Sequence, residues 1–102
     1  MEEIILNIIM HSGEARSHSL EAITLAKAGE FDKAKKLIIK ADEELGYAQN
    51  SQTSLIQGEA ASDKIEFSFL LMHAEDHLMT TMTFKDLAVE LIEIHERINS
   101  IH

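Results

Sequence analysis

Cysteine and proline are both missing from these 102 residues. Without cysteine there is no disulfide framework and no thiolate metal site. Without proline, the breaks between segments are marked by glycine, of which there are four. Basic residues are scarce: nine Lys and Arg stand against eighteen Asp and Glu, a formal net charge of −9. Phosphate contacts need Lys and Arg, so this balance argues against a nucleic-acid partner. The one basic group, Lys33, Lys35, Lys36 and Lys40, reads as a solvated helix face. Long apolar runs are lacking too. No window approaches ~18 consecutive apolar residues, so no segment is expected to span a membrane. The opening "MEEIILNIIM" puts acids ahead of its apolar run, unlike a secretory signal. A cytoplasmic protein is therefore expected. Aromatics are few: Phe31, Phe67, Phe69, Phe84 and Tyr47.

What is present is a composition 45% hydrophobic and 26% charged, suited to one soluble globular domain over residues 1–102. Apolar residues recur at spacings of three and four throughout, and no alternation of the strand type is sustained. The first helix is expected over about 2–28, with Ile4, Ile5, Ile8, Ile9, Ala15, Leu20, Ile23 and Leu25 forming its apolar surface. Gly13 within it marks a close contact or a local irregularity. Gly29 ends it, and Asp32 stands near the start of the next, where an acid favours the helix dipole. The second helix is expected over about 32–57, on Ala34, Leu37, Ile38, Ala41, Leu45 and Ala48, with a polar tail "NSQTSLIQ" prone to fray. "GEAASDK", residues 58–64, reads as the second break, with Ser62 or Asp63 capping the third helix. That helix, over about 64–100, would be roughly 50 Å long at ~1.5 Å per residue. The fold class is all-α, an antiparallel three-helix bundle of the spectrin-repeat-like kind.

The third helix carries more apolar surface than its subunit needs. Leu87, Leu91, Ile94, Ile98 and Ile101 follow a heptad seam. Extended backwards, the seam passes Phe84, Thr80, His77 and His73. A second stripe holds Phe69, Met72, Asp76 and Met79, and a third Leu71, Ala74, Leu78, Met82 and Val89. Met72, Met79 and Met82 read as packing residues. A helix apolar on most faces is deeply buried. In so small a chain the simplest cover is another copy of itself, so the pattern alone predicts a homo-oligomer.

The polar residues on that helix carry the chemistry. An unpaired carboxylate at Asp76, buried among Phe69, Met72 and Met79, would cost several kcal/mol or take up a proton. Either it faces solvent at the stripe edge, or copies of it around a symmetry axis share a hard cation such as Mg²⁺. His73 and His77 form an i, i+4 pair on one face. They are satisfied core histidines, transition-metal ligands, or a nucleophile with its neighbour; spacing does not choose among these. No glycine-rich phosphate loop and no Ser-His-Asp order is visible. His11, His18, His95 and His102 read as ordinary surface or seam residues.

In order along nearly the whole chain, "EEIILNIIMHSGEARS", "AKAGEFDKAKKLIIKADEEL", "QTSLIQGEA" and "HAEDHLMTTMTFKDLAVELIEIHERI" resemble the enzyme IIA component of the lactose/cellobiose class of bacterial phosphotransferase systems. The combination of HSGxARS, QTxLIxxEA and HAxDHLMT at these separations is highly specific. The resemblance implies a homotrimer whose third helices gather on a three-fold axis. It implies His73 as phosphoryl acceptor, Asp76 as the ligand of one Mg²⁺ shared by three subunits, and His77 in a supporting place beside them. It further implies HPr as donor, a IIB cysteine as acceptor and an indirect link to the IIC membrane component. "HSG" resembles the cellobiose and chitobiose members more than the lactose ones, pointing to an oligo-β-glucoside. The chain departs from the pattern at Glu75, where the family usually has Gln, and at Glu14. Glu75 either crowds His73 with charge or points away, and Glu14 acidifies the pocket only if it approaches across the bundle. Two other classes stay open: a helical trimeric interaction or regulatory module without phosphotransfer, and a transition-metal protein using His73 and His77.

Overall fold

A computed structural model of the chain describes residues 2–62 and 69–101, the side chains of 59–62 excepted. Three helices make up the fold: α1 (Glu2–Lys27), α2 (Phe31–Ser62) and α3 (Phe69–Ile101). Gly29 stops α1 as expected, at φ 82°. The Glu30 N–H reaches back to the Leu25 carbonyl at 2.9 Å, and the Gly29 N–H to the Ala26 carbonyl at 3.0 Å. This is the Schellman arrangement, which satisfies two of the last carbonyls and needs a residue that tolerates positive φ. Gly13, in contrast, sits in unbroken helix.

The second break differs from its expected place. Residues 58–62 belong to α2, which runs five residues past 57. Nor does "NSQTSLIQ" fray: Leu55 within it is buried in the core, and that anchorage outweighs a polar composition. Ser62 is the last residue of α2, while Asp63 and the expected start of the third helix at 64–68 lie outside the described residues.

Side-chain pairs set the directions. Lys35 pairs with Glu96, Asp42 with Lys85, and Gln52 with Glu75, so numbering falls along α2 as it rises along α3. Gly13 faces His77, and Arg16 shares a cleft with Thr80 and Phe84, so α1 and α3 run parallel. The bundle is elongated, 59 × 19 × 17 Å, with α1 packed along both other helices and α2 and α3 touching least.

Small residues explain that closeness. The buried row of α1 is Ile5, Ile8, Ser12, Ala15, Ser19, Ala22 and Ala26, an alternation of three and four. On α2, Ala34, Ala41, Ala48 and Leu55 recur every seven residues and are all buried. Side chains this short let helix axes approach, and the bulk is supplied by Ile8, Leu45, Leu78 and Ile92. The Ser19 hydroxyl donates to the Ala15 carbonyl at 2.8 Å, which removes the cost of burying it. Leu20, read as part of the apolar surface, is instead half exposed. Leu78 is 0% exposed. Leu78→Ala is expected to lower stability by roughly 2–5 kcal/mol, measured by urea unfolding, because α1 and α2 are too tightly seated to collapse into the gap.

Lys85 ties α2 to α3. Its Nζ lies 2.9 Å from Asp42 Oδ1 and 3.1 Å from Asp86 Oδ1. The hydrogen bond to Asp42 raises its pKa above the ordinary 10.5, against the opposing effect of burial. A raised lysine stabilises the fold below its unfolded value and ceases to do so as pH climbs through the folded one. The stability advantage of the native chain over Lys85→Met is thus expected to hold at pH 8 and to shrink above about pH 10.5, read from thermal midpoints.

One face of α3 has no cover. Leu87, Leu91, Ile94, Ile98 and Ile101, the heptad seam, are 40% to 80% exposed. The inward face is the third stripe, with Ala74 and Leu78 buried and Leu71 and Met82 packed against them. No helix among the described residues is long and apolar enough to cross a membrane.

Candidate functional site

Residues 73–77 turn once around α3 and point to different neighbours. His73 is exposed and His77 half-buried. Their rings are parallel within 2° with centroids 5.9 Å apart. The i, i+4 spacing places them together, as the sequence predicts. What divides them is α1: a Cβ at Gly13 would stand 3.8 Å from His77 Nε2, so the side chain of His77 is the one packed against α1. Burial pushes the His77 pKa below its ordinary 6.5, the His73 and Arg16 charges add to that, and Asp76 opposes it. At neutral pH His77 is therefore an uncharged imidazole, one ring nitrogen a donor and the other an acceptor.

Asp76 is exposed between Met72 and Met79, which are 47% and 57% exposed. Of the two readings of its stripe, the single chain shows the solvent-facing one. Among the described residues its carboxylate makes no hydrogen bond or ion pair. Its backbone carbonyl accepts from Thr80 Oγ1 at 2.9 Å, and the same hydroxyl lies 3.2 Å from the His77 carbonyl. Nor does any group of three His, Asp or Glu converge within the described residues of one chain. A hard cation would find one carboxylate here and need others from further copies.

Glu75 faces away from this turn. It is half-buried, and Gln52 Nε2 of α2 donates to its Oε2 at 2.6 Å. The extra acid is thereby held against α2 by a residue of the "QTSLIQ" motif. Glu14 is exposed and is not one of the residues at the cleft. The α1 charge that does stand there is Arg16. A cleft of about 210 Å³ between α1 and α3 is lined by Arg16, His77, Thr80, Thr81 and Phe84.

Arg16 went unrecognised in the sequence, although it sits inside the HSGxARS motif. The available signal was its isolation, as the single arginine of the first helix. Of the other histidines, His11 is not an ordinary surface residue: its Nδ1 lies 2.5 Å from Glu44 Oε2, and its ring is 5.2 Å from that of Tyr47. His102 lies outside the described residues.

Residues 3–96 match the family described as the lactose/cellobiose-specific IIA subunit of the phosphotransferase system. The chain is similar to the lichenan-specific phosphotransferase enzyme IIA component of Bacillus subtilis, with 50% identity over 96% of this chain and 89% of the relative. Its fold is similar to that of the crystallised cellobiose-specific enzyme IIA of Bacillus anthracis, at a TM-score of 0.93 and 42% identity, covering 97% of this chain and 91% of that one. It is likewise similar to the chitobiose IIA protein of Escherichia coli, solved in complex with HPr, at a TM-score of 0.85 and 41% identity, covering 96% and 95%. With a three-helix fold of the same arrangement and a family match over nearly its full length, the chain belongs to the lactose/cellobiose-specific IIA family of the phosphotransferase system.

Proposed function

We propose that the chain is a phosphocarrier, taking a phosphoryl group from phospho-HPr onto His73 and passing it to a cysteine of a IIB partner during sugar uptake. The observation that carries the reading is the setting of His73: exposed on a rigid helix, its ring parallel to a half-buried neutral imidazole. The solved complex of the E. coli relative with HPr supports the choice of donor. In the first step the N–P bond on the HPr histidine breaks as a new N–P bond forms to a free ring nitrogen of His73. In the second the phosphoryl group leaves His73 for the IIB thiolate. Transfer of this kind passes through a loose, metaphosphate-like state, so the protein's work is alignment and charge stabilisation. His77, packed by α1, fixes one side of the His73 ring.

The exposed seam and the stripe around Asp76 support assembly as a homotrimer about α3. Three Asp76 carboxylates meeting there would repel one another unless a cation joined them, and the absence of an ion pair to Asp76 among the described residues of one chain fits this. Asp76 from each subunit would hold one Mg²⁺, whose contribution is to neutralise that charge within the interface. A donor such as HPr places the chain in the cytoplasm, with IIC reached only through IIB. The imported sugar is proposed to be an oligo-β-glucoside; this subunit handles only phosphate.

Intact mass after incubation with phosphoenolpyruvate, enzyme I and HPr tests the function. A gain of one phosphoryl group, stable in base and lost in mild acid, is the expected result. No gain with HPr demonstrably charged would overturn it and leave a helical interaction module.

A further inference from the structure

The cleft between α1 and α3 is lined by a cation, Arg16, that no carboxylate among the described residues pairs with. Lys33 pairs with Glu30, Lys35 with Glu96, and Lys85 with Asp42 and Asp86, while Lys27, Lys36, Lys40 and Arg97 stand exposed on helix faces without an ion pair among the described residues. Arg16 makes no ion pair or hydrogen bond among the described residues, although the chain carries a net charge of −9. Beside it, Thr81 is 1% exposed, and its hydroxyl has no hydrogen-bond partner among the described residues. A hydroxyl left so costs stability, and native proteins rarely keep one without a reason. His77 completes the polar lining, and Thr80 has already committed its proton to the backbone of its own helix.

A guanidinium beside an imidazole, in a cleft lined by Arg16, His77, Thr80, Thr81 and Phe84, is suited to a compact oxyanion. The planar fork of arginine matches two oxygens of a phosphate at once. The cleft is also adjacent to the acceptor, since His77 lines it and His73 stacks on His77 with centroids 5.9 Å apart. We infer that Arg16 is a charge-stabilising residue of the phosphoryl transfer, its guanidinium receiving phosphoryl oxygens as the group arrives at or leaves His73. The inference rests on the phosphocarrier reading. Arg16 exchanges no proton and forms no bond to phosphorus. It offsets the charge spread over the equatorial oxygens while the incoming bond to phosphorus forms and the outgoing one breaks: N–P for N–P on arrival from HPr, S–P for N–P on departure to the IIB thiolate. Free phosphate presents the same oxygens, so the cleft is expected to take it weakly as well.

The test compares the native chain with Arg16→Ala, Arg16→Gln and Arg16→Lys. His73 phosphorylation by phospho-HPr is timed by rapid quench and intact mass across HPr concentrations. In parallel, inorganic phosphate is titrated into the unphosphorylated protein while the His77 ring protons are followed by NMR. Arg16→Ala and Arg16→Gln are expected to lower the maximal transfer rate about tenfold or more, as loss of an oxyanion donor does, with Arg16→Lys in between. The HPr concentration at half-maximal rate, the thermal midpoint and the oligomeric mass are expected to hold, because Arg16 is exposed and makes no hydrogen bond or ion pair among the described residues. Phosphate is expected to shift the His77 signals in the native chain and not in Arg16→Ala. Native transfer rates in the variants, or a loss seen only as weaker HPr binding, would overturn the inference. Absence of any phosphorylation in the native chain would condemn the carrier reading instead. In that case the phosphate titration still decides whether Arg16 receives an oxyanion.

Discussion

His73→Ala is expected to abolish the gain of a phosphoryl group entirely, while His77→Ala slows it about tenfold, the loss of roughly 1.4 kcal/mol of transition-state stabilisation. The contrast follows from where the two rings stand. His73 is exposed on α3 and touches the rest of the molecule mainly through its stack on His77. Alanine is the best helix former, so this replacement leaves the helix intact, and a lost modification reports a lost nucleophile. His77 is packed against α1 at Gly13 and lies next to Arg16 in the cleft. Removing it takes away an ordering contact but not the acceptor. Rapid-quench intact mass separates the two cases. A full phosphoryl gain in His73→Ala that disappears in His77→Ala would move the acceptor one turn along the helix.

If the proposed trimer forms through the α3 seam, Ile94→Asp is expected to leave single chains of 11.5 kDa with unchanged helix content. Ile94 is 51% exposed at the middle of the seam, so a carboxylate there costs the isolated bundle little. Around a shared axis the same change would bury several like charges at several kcal/mol apiece. Light scattering on the eluting protein gives the mass and far-ultraviolet circular dichroism the helix content. A mass of three chains for both proteins would remove the seam as the interface. The native chain already running at 11.5 kDa would remove the trimer itself.

These two results bear on different parts of what could be read in advance. The seam was legible because periodicity is local: Leu87, Leu91, Ile94, Ile98 and Ile101 must share a face of any helix that contains them. The pairing of His73 with His77 was legible for the same reason. The departure at Glu75 was visible too, but its consequence was not. Only the approach of α2 shows Gln52 holding that carboxylate at 2.6 Å. Arg16 was passed over because its meaning comes from what it fails to contact, and an absent partner has no sequence spacing. The end of α2 was misplaced because Gly58 argues locally for a break, whereas in the fold it sits in unbroken helix that runs on to Ser62.

The sequence by itself determined three helices, the glycine stop at Gly29, an apolar excess on the third helix and a turn of polar residues within it. Each is a matter of spacing along one segment. The tertiary structure alone decided how α3 is rotated about its own axis. A helix apolar on nearly every side has no preferred inward face of its own. The choice fell to packing against the small buried residues of α1, and Leu78 is seated in one core cluster with Ile8 and Ala15. With that rotation fixed, His77 turned toward α1, Glu75 toward α2, and His73 and Asp76 were left facing outward.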